Sequence, residues 1–177
     1  PSVALKTGTP DVCLKHEIHA VNDIAGFCSA AYVKRVADAG LPAIVMATNY
    51  QPGDAVGVEA THTALGTVMQ RCESAGIGNY VLDPGIGLWT PFRSADDDWE
   101  LSRRFDEFLR YDRPLLAAVS RKSFIGNLLD KGPQDRLFGS LAVTMTLLQK
   151  GASMVRTHDV QSTVDTVRVF ERLVKRR

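Results

Sequence analysis

Short apolar runs alternate with longer amphipathic stretches along this 177-residue chain. Six of the runs have the length of β-strands and are mostly apolar throughout, which is typical of parallel strands covered on both faces. These six predicted strands span residues 2–5, 20–24, 43–47, 80–82, 115–119 and 154–156. The pattern therefore predicts a parallel sheet whose strands are separated by helices.

Helical periodicity fills the intervals between the predicted strands. Ser29 is placed to cap a helix that runs to residue 39, and Gly40 follows as its stop signal. A second helix is predicted over residues 56–75, and a third over residues 99–111, with acidic residues at its start, where the helix dipole favours them. The last two helices are predicted to run from Pro133 to Gly151 and over residues 160–177.

Six β/α units in series define an α/β fold but leave its topology open. An open, doubly wound sheet and part of a closed (β/α)₈ barrel both satisfy the pattern. No linker, repeat or low-complexity segment divides the chain, and we predict a single domain over residues 1–177.

Charge, apolar run length and cysteine spacing limit the partners and the cellular compartment that we expect for this chain. The formal net charge is +1, which gives no reason to expect nucleic acid or an anionic membrane surface as a partner. No apolar run reaches the roughly 18 residues that a membrane span needs. Three widely spaced cysteines, Cys13, Cys28 and Cys72, fit neither a disulfide framework nor a CxxC metal site. We predict a cytoplasmic protein with reduced thiols and no membrane or nucleic-acid partner.

Polar and ionisable residues follow the predicted strands, at the edge of the sheet where α/β proteins bind their ligands. Asn22 and Asp83 end or follow two of the strands, and either could instead begin a turn. Arg156 and His158 are two residues apart, and in an extended strand conformation they are expected to face the same side and form an anion pocket.

Four of these strand-end segments together resemble the signature sequences of the dihydropteroate synthase family, in that family's order and at about its spacing. They are VNDIAG at residues 21–26, LDPGIG at 82–87, SRKSFIG at 120–126 and RTHDV at 156–160. The resemblance implies a (β/α)₈ TIM barrel, of which this chain holds six β/α units and lacks the first two. It also implies the family's reaction, in which p-aminobenzoate or a related arylamine displaces pyrophosphate from a dihydropterin methylene group.

The same resemblance implies roles for individual residues. Its substrate-binding set is Asn22, Ile24, Met46, Asp83, Gly87, Lys122, Ser123, Arg156 and His158. Asn22, Asp83 and Lys122 would contact the polar edges of the pterin, while Ile24 and Met46 are either apolar contacts of its ring or core residues. Ser123 would help bind the arylamine. Lys122, Arg156 and His158 would be the catalytic groups, the last two by holding pyrophosphate.

Neighbours of these residues have more than one interpretation. Arg121 would serve either the arylamine or a surface ion pair, and Asp159 is expected to cap the last helix.

Magnesium is expected as a cofactor bound with pyrophosphate, although the family's usual protein ligand for it falls in the absent units, and no metal ligand is predicted in this chain. The expected partners are the two small-molecule substrates. The helix after Pro133 is apolar enough for a homodimer, although packing against the barrel explains its apolar residues equally well.

One departure from the family pattern leaves alternatives open. Lys6 stands where the family carries a carboxylate that contacts the pterin. A pterin-binding remnant without catalysis is therefore one alternative, and a methyl-tetrahydropterin methyltransferase domain is another. A flavodoxin-like open sheet of unrelated function is the third.

Overall fold

The computed structural model describes the backbone of residues 3–5 and the whole of residues 18–174. Its strands are β1 (Val3–Leu5), β2 (Ala20–Asp23), β3 (Ala43–Met46), β4 (Tyr80–Asp83), β5 (Leu116–Ala117) and β6 (Met154–Val155). Its α-helices are α1 (Ala30–Asp38), α2 (Gly57–Ser74), α3 (Ala95–Arg103), α4 (Ser123–Leu129), α5 (Leu137–Gln149) and α6 (Val160–Val174). The position of Lys6 lies outside the described residues.

The chain divides into two compact units, Pro1–Gly85 and Ile86–Arg177. The first unit contains a four-stranded parallel sheet in the order β1-β2-β3-β4, with helix α1 between β2 and β3 along the chain and helix α2 between β3 and β4. The second unit contains the parallel pair β5-β6 and helices α3 to α6. All strand pairs in both units are parallel, as the uniformly apolar runs predicted.

The core of the first unit forms where β3 meets both of its neighbours. All four residues of β3 are buried, because β2 and β4 pair with its two edges and side chains cover both of its faces. Helix α2 contributes Ala64, Leu65, Val68 and Cys72, which recur at helical spacing and are fully buried. This packing fixes the ends of β2 and β4, where Asn22 and Asp83 lie.

The core of the second unit is largely aromatic and aliphatic. Fully buried side chains come from the segment between α3 and β5, from β5 itself, and from α4 and α5; they include Phe105, Phe108, Leu115, Phe124 and Leu147. Trp99 of α3 packs edge-on against Phe124 of α4, with ring centroids 4.6 Å apart. These contacts hold the start of α4, and therefore the neighbouring Lys122, in place.

Several predicted boundaries are wrong, among them those of β5, which is Leu116–Ala117 and not 115–119. The helix predicted at 99–111 begins earlier, at Ala95, because Ser94 and Asp97 form a reciprocal capping box, and its last part is a 3₁₀-helix, Phe105–Tyr111. Pro133 begins a short 3₁₀ turn, and α5 starts only at Leu137. The last strand ends at Val155, one residue before Arg156.

In the described part of the chain, no helix combines the length and the apolar character that crossing a membrane requires.

Candidate functional site

In the first unit, Asn22 and Asp83 are buried polar residues at the carboxyl ends of β2 and β4. Their relative exposures are 1% and 2%. The Oδ1 atom of Asn22 accepts no hydrogen bond from any described residue. Leaving a buried polar atom unsatisfied costs about 1–3 kcal/mol, so such an atom calls for an explanation, and a ligand that donates a hydrogen bond is one.

The turn after β4 packs against the side chain of Met46. Asp83 Oδ1 accepts a 2.8 Å hydrogen bond from the Gly85 backbone N–H, which fixes the carboxylate just beyond the strand. Gly85 has φ +73°, and a Cβ there would lie 3.1 Å from Met46 Cγ. Met46 pairs with Asp83 in register and is fully buried. The structure therefore places Met46 in the core, beneath the turn that carries Asp83.

Hydrogen bonds of the Asp23 and Thr48 side chains hold the turn that follows β2. Ile24 lies in this turn and not on the strand, contrary to the predicted end of β2 at residue 24. Asp23 is fully buried and its Oδ2 accepts a 2.6 Å hydrogen bond from Phe27 N, which gives this carboxylate a structural role. The Thr48 hydroxyl donates to Ile24 O at 2.9 Å. Ile24 is thus held by its backbone, with a half-buried side chain.

Arg71 of α2 holds two of these loops together, a role that the sequence did not reveal. Its Nη1 donates to Gly26 O at 2.8 Å and to Thr48 O at 3.1 Å, and its Nη2 donates to Asn49 O at 2.6 Å. One guanidinium therefore ties the loop after β2 to the loop after β3. Nothing marks this arginine in the sequence, because a basic residue in the last turn of a helix is common.

In the second unit, Gly87 makes room for Lys122. Gly87 has φ +143°, and a Cβ there would meet Lys122 Nζ at 2.7 Å, so a side chain at this position would displace the ammonium. Lys122 Nζ also lies 4.4 Å from the centroid of the Trp89 ring. The structure therefore brings together two predicted site residues, Gly87 and Lys122, and adds Trp89, which the sequence analysis did not single out.

A buried ion pair supports the same loop. Asp98 Oδ1 accepts hydrogen bonds from Gly87 N at 2.7 Å and from Arg93 Nε at 3.0 Å, and the two charged side chains are 0% and 2% exposed. Burial raises the pKa of Asp98, although Gly87 N–H, Arg93 and Lys122 all act to lower it. The sequence presents Asp98 only as one of several acidic residues near a helix start, which hid this role.

Arg121 forms an ion pair, one of the two roles left open for it. Its Nε and Nη2 donate to the two carboxylate oxygens of Asp159 at 3.0 and 2.6 Å, and its Nη1 donates to Gln134 Oε1 at 2.6 Å. The hydrogen bond from Arg121 holds the pKa of Asp159 below its usual range. Asp159 does precede the first residue of α6, but its side chain binds Arg121, so the expected side-chain cap is replaced by this pair.

Arg156 and His158 lie in the loop after β6, because the strand ends at Val155. Arg156 N donates to Ala117 O at 3.0 Å, and Arg156 lines a cavity of about 540 Å³ together with Thr157. His158 is exposed, and its Nδ1 lies 3.0 Å from Ser120 Oγ. Ser123 is the exposed first residue of α4. Strand alternation therefore does not explain the side on which Arg156 and His158 lie.

The described residues do not provide a metal-binding set for magnesium. No three His, Cys, Asp or Glu side chains in residues 18–174 are grouped so that they could hold an ion. Asp159, the carboxylate next to His158 in sequence, is already bound to Arg121.

The sequence of this chain matches a family of known proteins. Residues 5–158 match the family described as pterin binding enzyme, and the chain belongs to that family. Within it, the chain is 34% identical to the dihydropteroate synthase of Escherichia coli K12 over 96% of its own length. It is 29% identical, over 93% of its length, to the bifunctional dihydropteroate synthase/dihydropteroate reductase of Helicobacter pylori.

Solved structures give the same result for the fold. The dihydropteroate synthase of Thermus thermophilus in complex with 4-aminobenzoate matches with a TM-score of 0.86 and 30% identity, over 98% of this chain and 70% of that one. The Coxiella burnetii enzyme in complex with pteroic acid also gives 0.86, at 26% identity, over 97% of this chain and 66% of that one. The predicted α/β fold of the TIM-barrel class, present here in part, is confirmed. The chain spans 63% of the length of its E. coli relative.

Proposed function

We propose that this chain provides the pterin-binding and pyrophosphate-binding residues of a dihydropteroate synthase. In that reaction the arylamine nitrogen bonds to the dihydropterin methylene carbon as the carbon–oxygen bond to pyrophosphate breaks. Family membership and the similarity to dihydropteroate synthases support the proposal. Two of the similar solved structures are complexes with pteroic acid and with 4-aminobenzoate.

The observation that carries the proposal is the buried Oδ1 of Asn22, which has no hydrogen-bond partner among the described residues. A buried amide oxygen without a hydrogen bond does not stabilise the fold, whereas a ligand with an N–H donor would give this oxygen a hydrogen bond. Asp83, equally buried and held by Gly85, is an acceptor suited to the adjacent donors of an aminopyrimidine ring. Ile24 and Met46 are proposed as apolar neighbours of that ring.

The proposed groups of the second unit are mostly cationic. Lys122 is assigned to the carbonyl edge of the pterin, with Gly87 leaving space for its ammonium. Arg156 and His158 are assigned to pyrophosphate, and Ser123 to the arylamine. As the carbon–oxygen bond breaks, negative charge grows on the leaving oxygen, and fixed cations and N–H donors stabilise it. The remainder of the catalysis is positioning of the two substrates, and no covalent intermediate is required.

We extend the proposal to the metal ion, the cellular compartment and the oligomeric state. Magnesium would accompany pyrophosphate, and the compartment would be the cytoplasm. A homodimer would form through the end of α4 and the start of α5, where Leu128 and Phe138 are 67% and 78% exposed. Light scattering coupled to size exclusion of wild type and Phe138→Ser measures the oligomer, and a monomeric wild type would contradict the dimer.

Calorimetric titration with a dihydropterin pyrophosphate in the presence of magnesium tests the pterin assignment. Asp83→Asn should abolish most of the binding heat, because the amide replaces an acceptor by a donor facing the ring donors. Asp38→Asn is the matched control, since Asp38 pairs with Lys34 on the exposed face of α1. Circular dichroism verifies that all three proteins are folded. Equal binding by wild type and Asp83→Asn would overturn the assignment.

Turnover needs a separate assay, because the chain spans 63% of its E. coli relative. Release of pyrophosphate with p-aminobenzoate as the second substrate would establish the synthase reaction for this chain. Saturable pterin binding without release would restrict the chain to the binding function.

A further inference from the structure

Arg121 has a left-handed backbone conformation in the turn between β5 and α4. Its φ is +58°, which is uncommon for a residue other than glycine and persists where the surroundings hold it. The Lys122 N–H closes the turn by donating to Val119 O at 3.2 Å, so Arg121 occupies the third position, where glycine or asparagine is favoured. Because Lys122 is the next residue, the direction in which its side chain leaves the backbone depends on this turn.

Arg136 and Ser140, at the start of α5, hold both backbone groups of Arg121. The Arg121 N–H donates to Ser140 Oγ at 2.9 Å, and the Arg121 carbonyl oxygen accepts from Arg136 Nη1 at 3.0 Å. The direction of both bonds is fixed, because a backbone N–H and a guanidinium can only donate. The carbonyl oxygen of Arg136 can only accept, so the Ser140 hydroxyl donates to it at 2.8 Å. The left-handed residue is therefore held from outside its own turn.

The Arg136 guanidinium also binds the chain beyond the other end of α4. Its Nε donates to Lys131 O at 2.8 Å, two residues after the helix, while its Nη1 binds Arg121 O, two residues before the helix. Between these two bonds the guanidinium lies against Gly126 of α4, where a Cβ would overlap with it. One side chain therefore spans α4 and holds the segments on both sides of this helix.

We propose that Arg136 is a positioning residue that sets the place of the Lys122 ammonium by holding the turn before α4. Gly87 leaves space for this ammonium, and the Trp89 ring centroid lies 4.4 Å from it, so a fixed turn directs the side chain to one place. Arg136 acts on Lys122 through the backbone of Arg121. The consequence for ligand binding rests on the proposed role of Lys122 at the pterin.

The place of Lys122 can be measured without any substrate, from the indole ¹H–¹⁵N signal of Trp89 in the full chain. The signal is assigned by its loss in Trp89→Phe, and its response to the ammonium is calibrated with Lys122→Ala. Arg136→Met should move the signal toward its position in Lys122→Ala, because methionine removes both donors. Arg110→Met, which replaces an exposed arginine of the same unit, should leave it unchanged. A Trp89 signal at the wild-type position in folded Arg136→Met overturns the proposal.

The second tryptophan and a milder variant separate positioning from folding. Trp99 packs against Phe124 of α4, so a retained Trp99 signal shows that the helix keeps its packing. Where Arg136→Met does not fold, Arg136→Lys takes its place, since one ammonium cannot reproduce the two-sided contact of the guanidinium. The Trp89 signal should then move in the same direction by a smaller amount, and an unmoved signal in this variant overturns the proposal.

Titration with dihydropterin pyrophosphate tests the functional consequence by a double-mutant cycle. Arg136→Met should raise the dissociation constant about three- to tenfold, and less than Lys122→Ala does, because it displaces the ammonium without removing it. In the Lys122→Ala background, Arg136→Met should change the constant by less than about twofold. Full additivity of the two substitutions overturns the proposal. A wild type that binds no dihydropterin pyrophosphate, together with the expected Trp89 shift, supports the role of Arg136 and refutes the proposed function.

Discussion

The ammonium nitrogen of Lys122 lies 4.4 Å from the centroid of the Trp89 indole ring. Trp89 follows the LDPGIG segment and Lys122 belongs to the SRKSFIG segment, so this contact fixes one signature segment against the loop that leaves another. A cation over an indole face gains about 0.5–2 kcal/mol, depending on exposure. Trp89 therefore favours one position of the Lys122 ammonium, beside Gly87.

Removing the indole should weaken the proposed pterin binding by freeing Lys122. For Trp89→Leu we expect about a two- to fivefold higher dissociation constant for dihydropterin pyrophosphate, from the loss of about 0.5–1 kcal/mol of cation–π energy. Trp89→Phe should lose less. Phe92→Leu is the control, since Phe92 is 88% exposed in the same loop. Calorimetry that gives Trp89→Leu the wild-type affinity would show that the indole does not position Lys122.

The buried pair Arg93–Asp98 should dominate the stability of its loop. Asp98→Ala leaves the Arg93 guanidinium buried without its carboxylate, which should lower the free energy of unfolding by about 3–5 kcal/mol. Asp96→Ala, at an exposed position in the first turn of the same helix, should cost about 0.3–1 kcal/mol. Urea unfolding followed by tryptophan fluorescence reports on this unit, because both tryptophans lie in it.

Similar losses in these two variants would mean that solvent already screens the pair. That result is not expected for side chains that are 0% and 2% exposed.

The strands and the family could be predicted from local sequence because their signals are local. Uniformly apolar runs gave β3 to within one residue, since a strand covered on both faces has no polar positions. Helix boundaries were less predictable. The capping box at Ser94 and Asp97 starts α3 well before residue 99, and it was obscured by the neighbouring acidic residues.

Supporting residues of the candidate site could not be predicted, because they act through contacts distant in sequence. Arg71 binds carbonyl groups between 22 and 45 residues away, and Ser120 meets His158 across 38 residues. Neither has a sequence context that distinguishes it from an ordinary helix or strand-end residue. The strand that was expected to carry Arg156 and His158 ends earlier, and loop geometry that periodicity does not describe places both residues.

Asp98 and Asp159 should give the stability of the second unit opposite dependences on pH. The pKa of Asp98 is raised above the ordinary 3.8, chiefly by burial, so the folded chain keeps this proton after the unfolded chain has lost it. The stability that Asp98 contributes is therefore greatest in acid and falls as the pH rises through its folded pKa. The pKa of Asp159 is lowered, chiefly by its hydrogen bond with Arg121, so its contribution is lost as the pH falls.

Isosteric variants make this contrast measurable. Compared with the wild type, the free energy of unfolding of Asp98→Asn should decline less as the pH rises from about 4 to 7, and that of Asp159→Asn should decline less as the pH falls below about 4. Urea titrations over this range, with Asp96→Asn as the exposed control, measure both slopes. Changes of the same sign in the two variants would refute the assigned directions.

Arg71 should control the order of the two loops that follow β2 and β3. A Cβ on Gly26 would lie 2.7 Å from Thr48 O, so the loops are in close contact, and the Arg71 guanidinium closes them by donating to three carbonyl oxygens. Arg71→Met keeps much of the side-chain volume and removes every donor. A hydrogen bond from a charged group contributes about 1.5–3 kcal/mol. Arg71→Met should therefore lower the free energy of local opening of the two loops by at least that amount.

Amide hydrogen exchange followed by mass spectrometry measures that loss directly. In Arg71→Met we expect faster exchange over residues 24–28 and 47–51, with unchanged protection in β3, because the core beneath the loops keeps its packing. Arg71→Lys should give an intermediate rate, since one ammonium cannot reproduce the forked geometry. Arg35→Met, on the exposed side of α1, should leave both loops as they are. If the loops exchanged at the wild-type rate in Arg71→Met, backbone contacts alone would hold them closed.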